Sequence, residues 1–142
     1  MRVCSHKGYK VVVFTRDEHC PPHVHVGTAD WNARFLFSFW HDSVSLWDVG
    51  PTQRAPCGRL LEELRQVVKR RANLRRAREC WWISRNTLCL ENQGWDIEND
   101  EVALVRSDRR ATLPILWARF DPLTYVTQIR LSGHQSPLEI EL

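Results

Sequence analysis

The chain has 142 residues, 43% of them hydrophobic and 26% charged, a globular balance that excludes a disordered or fibrous chain. Its formal net charge is +3, and no apolar run approaches the roughly 20 residues of a membrane span, so no membrane partner is expected. Val11 to Phe14, the longest apolar stretch near the start, is too short for a signal-peptide core of about 7–15 residues, and the expected location is cytoplasmic. Five cysteines (Cys4, Cys20, Cys57, Cys80 and Cys89) form no CxxC pair and are odd in number. Reduced thiols filling apolar space are expected, with Cys20 set apart as a candidate ligand.

Tyr9 to Phe14 is rich in β-branched and aromatic residues and predicts a first strand, and His23 to Val26 predicts a short second one after Pro21-Pro22. From Trp31 the alternation is plain: Trp31, Ala33, Phe35, Phe37 and Phe39 share one face, and Asn32, Arg34, Leu36, Ser38 and Trp40 the other. Ser43 to Val49 predicts a fourth strand of an antiparallel meander whose aromatic face needs cover. Helical spacing of Leu60, Leu61, Leu64, Val67 and Val68 supplies that cover. A straight continuation would point Arg71, Arg75 and Arg78 into the apolar stripe, and burying three unpaired guanidinium groups is prohibitive. A break near Ala72-Asn73 is therefore predicted, with helices over about 57–71 and 74–84.

Beyond Arg85 the predicted strands are Leu88–Glu91, Val102–Arg106, Ile115–Phe120, Tyr125–Leu131 and Leu138–Leu142, with Pro114 and Pro122 at strand ends or edges. The predicted class is α+β: a small antiparallel sheet packed by a helix or helix hairpin, followed by further C-terminal strands. Residues 1–85 are read as one domain and 86–142 as a β-rich extension, either separate or part of the same unit.

The stretch Arg16-Asp-Glu-His-Cys-Pro-Pro-His-Val-His-Val-Gly27 concentrates chemistry. On a strand, His23 and His25 emerge on one face while Val24 and Val26 face the core. The two prolines stiffen the approach, so His19, Cys20 or Asp17 can fold back toward the pair. Two imidazoles with a thiolate or carboxylate suit zinc, iron or manganese, and the candidate ligands are His19, Cys20, His23 and His25. The same His23 and His25 could instead act as general acid and base, or simply be hydrogen-bonded strand residues beside a turn. His41 and His134 stand alone near turns. The histidine-triad pattern fails because Gly27 occupies the third histidine's place, and the cupin pattern fails because Asp17 stands at its leading glycine.

Charge is uneven along the chain. Residues 54–85 carry ten Lys or Arg against three Glu, about +7, which leaves −4 elsewhere. Lys69, Arg70, Arg71, Arg75, Arg76 and Arg78 are candidates for phosphate contacts on nucleic acid or for docking an acidic cognate protein. Glu62, Glu63 and Glu79 are too few to neutralise them. Trp31 and Trp117 are expected in the core. Trp81 and Trp82 cannot both face it, and Trp82 is the interface candidate.

The residues Gly8-Tyr9, Asp17, His19, Pro21, Pro22, His23 and His25, followed by Leu60, Leu64, Val67 and Trp81 or Trp82, resemble the small bacterial proteins grouped as domain of unknown function 4160. The resemblance covers residues 8–85; the arginine content of 69–78 and the final stretch of nearly 60 residues depart from it. It implies a small α+β protein encoded beside a second small protein, as in a toxin–antitoxin pair, and no established reaction. The expected function is that of a toxin–antitoxin-like or defence-associated component, binding nucleic acid or a cognate protein through its arginine-rich helix. The alternatives are a metal-dependent hydrolase or nuclease centred on His23 and His25, and an immunity-type inhibitor that covers a partner.

Overall fold

The computed structural model describes residues 1–104 and 112–142 and has an α+β fold. Its first sheet is an antiparallel meander of β1 (Arg2–His6), β2 (Tyr9–Val12), β3 (His23–Gly27), β4 (Asn32–Leu36) and β5 (Ser45–Gly50), paired in chain order. β1 was not foreseen. It forms because Lys7-Gly8 closes a two-residue hairpin with both residues at positive φ, which places His6 opposite Tyr9. The β3–β4 turn is tighter still: a Cβ on Gly27 would lie 2.3 Å from the Trp31 carbonyl oxygen, so only glycine fits there.

The predicted alternation from Trp31 holds for burial but not for strand length. Trp31, Ala33, Phe35, Phe37 and Phe39 are all buried, although β4 ends at Leu36. The chain then turns through Ser38, whose Oγ donates to the His41 carbonyl and accepts the Trp40 and His41 amides.

The helix hairpin is present, with α1 over Gly58–Lys69 and α2 over Arg71–Arg85. Its break falls at Arg70, which has an extended ψ of 133°, and the Asn73 side-chain amide donates to the Val67 carbonyl that the break exposes. Leu64 and Val68 from α1 and Leu74, Ala77, Cys80 and Trp81 from α2 join the core. Asn86, in the left-handed conformation, ends α2.

A second antiparallel sheet contains β6 (Gln93–Asp96), β7 (Glu101–Leu104), β8 (Thr112–Asp121), β9 (Val126–Leu131) and β10 (Leu138–Glu141), in the order β10-β9-β8-β6-β7. The predicted strand at Leu88–Glu91 is instead loop and turn, and the strand begins at Gln93. The end of the predicted Val102–Arg106 strand lies outside the described residues. β8 pairs with β6 through Thr112–Pro114 and with β9 from Ile115 onward. Pro114, without an N–H, therefore sits where β8 changes neighbours.

One hydrophobic cluster takes in both sheets and both helices: Phe39 meets Phe120 at 5.0 Å between ring centroids, and Trp95, Ile129 and Leu131 belong to the same core as Phe35 and Trp81. Trp31 is buried as expected. Trp117 is not: it is 41% exposed on β8, with the Arg119 guanidinium 5.1 Å from its ring centre, because the alternation of β8 turns it away from the core.

Candidate metal centre

The strand period brings His23 and His25 to one face of β3, as expected, with Val24 and Val26 fully buried on the other. The loop between β2 and β3 then adds an acid, but not Asp17. Asp17 takes a positive φ of 60° and is exposed, and that reversal turns its neighbour Glu18 inward. Glu18 is buried, and its Oε1 accepts the Phe14 amide at 3.2 Å. Glu18, His23 and His25 form a group whose donor atoms converge.

Where the ring protons sit decides what the group can do. His23 Nδ1 lies 2.8 Å from the Pro21 carbonyl oxygen, which can only accept, so the His23 proton is on Nδ1. His25 Nδ1 lies 3.2 Å from Asn32 Oδ1 and is assigned a proton by the same reasoning. Both Nε2 atoms therefore present lone pairs. They are 3.1 Å apart, and each is 2.9 Å from a Glu18 carboxylate oxygen. Oε2 of Glu18 is buried and accepts no hydrogen bond.

Burial pushes the His23 pKa down, and this outweighs the opposite pull of the Pro21 carbonyl and of Glu18, so the ring is neutral at pH 7. Acceptors turned on one another at a largely buried site repel unless a cation lies between them. Separations near 3 Å are those of adjacent ligands around an ion with bonds of about 2.1 Å. The bonds at both Nδ1 atoms are the outer-shell contacts that orient metal-binding imidazoles. Residues and chemistry fit a divalent cation.

The centre opens into a cavity of about 540 Å³ that Phe14, Arg16, Asp17, His19 and Arg34 also line. His19 is exposed. Its Nδ1 is 3.1 Å from the Cys20 carbonyl oxygen and its Nε2 3.5 Å from an Arg34 Nη1, so it stands at the rim rather than among the converging donors. Arg34 is held by a two-pronged bond to Asp48 and lies 4.2 Å above the Trp47 ring.

The other expected ligand is corrected. Cys20 is bonded to Cys89, so its sulfur cannot serve as a thiolate ligand, and the expectation of five reduced thiols fails at this pair. Cys4, Cys57 and Cys80 are free. The crosslink ties the loop that carries Glu18 to the turn after α2, across 69 positions of sequence. Replacing both cysteines by serine is expected to lower stability by about 4 kcal/mol, from the entropy returned to the unfolded chain. A urea melt checks this, and an unchanged midpoint would count against the bond.

The arginine-rich segment is dispersed by the hairpin. Arg78 is buried, a correction to its expected role in binding: it donates to the Ser38 and His41 carbonyls and to Asp42. Arg75 donates to the Leu142 carbonyl and lies 4.2 Å over the Tyr125 ring, and Arg76 pairs with Glu79. Lys69, Arg70 and Arg71, at the corner between the helices, are exposed and make no ion pair among the described residues. Trp81 is fully buried, 5.5 Å from the His23 ring, and Trp82 is half-buried near Phe120.

No family model, no curated protein and no solved structure matches the chain.

Proposed function

We propose that this protein is a metal-dependent hydrolase that holds one divalent ion on Glu18, His23 and His25. The observation that carries this reading is the convergence of both Nε2 atoms on a buried carboxylate whose Oε2 accepts no hydrogen bond. Two imidazoles and a carboxylate suit zinc, iron or manganese, and such an ion supplies Lewis acidity toward a substrate and toward water. The chain's own groups do the rest. Glu18 offsets the ion's charge, and the carbonyl of Pro21 and the amide of Asn32 keep the rings aimed. His19 stands at the rim, its Nδ1 on the Cys20 carbonyl and its Nε2 3.5 Å from Arg34 Nη1, within reach of a bound substrate.

The deciding experiment is elemental analysis of untagged protein beside the His23→Ala/His25→Ala double variant, followed by a hydrolase substrate panel. Close to one zinc, iron or manganese per chain, absent from the variant, together with turnover lost in it, is expected. A wild-type protein that retains no metal after equilibration with each of these ions overturns the reading.

A second reading, binding of nucleic acid or an acidic cognate protein, is supported by the exposed corner of Lys69, Arg70 and Arg71. It is tested by salt-dependent association of an Arg70→Glu/Arg71→Glu variant. The toxin–antitoxin-like setting accommodates either reading, and an immunity-type inhibitor finds no specific observation in its favour. No helix among the described residues is long and apolar enough to cross a membrane. A cytoplasm would hold Cys20 and Cys89 reduced, so a thiol count in freshly lysed cells decides the expected location together with the state of that pair.

A further inference from the structure

We infer that the cavity over Glu18, His23 and His25 takes a phosphate monoester, its phosphate held by Arg34 and Arg16 and its organic part against Phe14; this rests on the metal-centre reading above. Arg34 is fixed in advance: Asp48 takes its Nε and one Nη, Trp47 supports its plane at 4.2 Å, and the remaining Nη1 meets His19 Nε2 only at 3.5 Å among the cavity's lining residues, a long contact that a phosphate oxygen can displace. A guanidinium immobilised in this way loses little freedom when it grips an oxyanion. Arg16 lines the same cavity, is exposed and makes no ion pair among the described residues.

The charges favour an anion. A divalent ion against Glu18, Arg16 against Asp17 and Arg34 against Asp48 leave a net charge of about +1 around the cavity. With the ion held on Glu18, His23 and His25, three separate cationic groups would line the cavity, the other two being Arg16 and Arg34. A phosphate monoester has three terminal oxygens to offer them, whereas a carboxylate has two. The cavity, about 540 Å³, exceeds what a phosphate alone fills and is of ordinary size for an organic ligand. Phe14 provides the apolar wall: its ring centre lies 4.2 Å from that of His25, and the residue is 47% exposed.

The test is calorimetric titration of metal-loaded protein with inorganic phosphate, a 5′-mononucleotide, a hexose phosphate and acetate. Wild type, Arg16→Gln, Arg34→Gln and Phe14→Ala are compared, and metal content is measured in each. Both esters are expected to bind more tightly than acetate, and each arginine variant to weaken them by about 10- to 100-fold with its metal retained. A nucleotide preference lost in Phe14→Ala supports the assignment with an aromatic source, and equal binding of the two esters supports it with the phosphate as the shared determinant. Esters bound no better than acetate, or bound equally by the wild type and both arginine variants, overturn the assignment while the metal content leaves the centre standing. Failure of the wild type to hold metal overturns the centre itself.

Discussion

Glu18→Gln is expected to lower affinity for the divalent ion by about 100-fold or more while leaving the metal-free protein as stable as the wild type, or more so. The amide keeps the carbonyl oxygen that accepts the Phe14 N–H. Its NH₂ replaces Oε2, the buried oxygen without a donor, and can donate to His23 Nε2 at the 2.9 Å now separating two acceptors. One repulsive contact thus becomes a hydrogen bond worth about 1 kcal/mol. The anionic ligand is lost at the same time, and an oxygen of a neutral amide is a far poorer partner for a divalent cation. Thermal melts with and without chelator, beside metal titrations, check both halves. The opposite signs are diagnostic. A purely structural cluster in which Glu18 and a histidine share a proton would lose stability on this change and show no metal effect.

Arg78→Ala is expected to destabilise the fold by about 3–5 kcal/mol, a large part of the total stability of a chain this size. The guanidinium is 1% exposed, and it donates to the Ser38 carbonyl at 2.9 Å, the His41 carbonyl at 2.8 Å and Asp42 at 3.0 Å. Truncation leaves the Ser38 carbonyl without this donor in a dry site and opens a void under α2. Burial pulls the Arg78 pKa down, yet the Asp42 carboxylate opposes that pull and the group keeps its charge. Arg71→Ala, at the exposed corner of the same hairpin, is the control and should change stability by less than about 0.5 kcal/mol. Urea denaturation of the two variants separates a cation that holds the fold from one free to meet a partner, and similar losses in both would sink this division.

The contrast between Arg78 and Arg71 shows how far patterns in the sequence reach. The rule against burying three unpaired guanidinium groups correctly requires a break in the helix, and the break falls at Arg70, close to the predicted Ala72-Asn73. The rule applies to unpaired charge. It cannot foresee that the turn through Ser38 to Asp42 presents two carbonyls and a carboxylate to Arg78, since those acceptors lie 36 to 40 positions away. The Cys20–Cys89 bond escapes for the same reason: spacing carries no information about two sulfurs 69 positions apart. β1 is missed because Arg2–His6 is half polar and gains its place by pairing with β2.

The candidate centre divides along the same line. His23 and His25 on one face, with Val24 and Val26 in the core, follow from the two-residue period of a strand, a local property that the sequence alone determines. So do the aromatic face from Trp31 to Phe39, the apolar stripe of α1 and the α+β class. Only the tertiary structure decides that Glu18, rather than Asp17, His19 or Cys20, completes the pair, because a single positive-φ residue and a distant crosslink orient that loop. It alone also decides which arginines remain free. Periodicity reports which way a side chain leaves its own element; what it meets there depends on elements remote in the chain, brought close by burial of a common core.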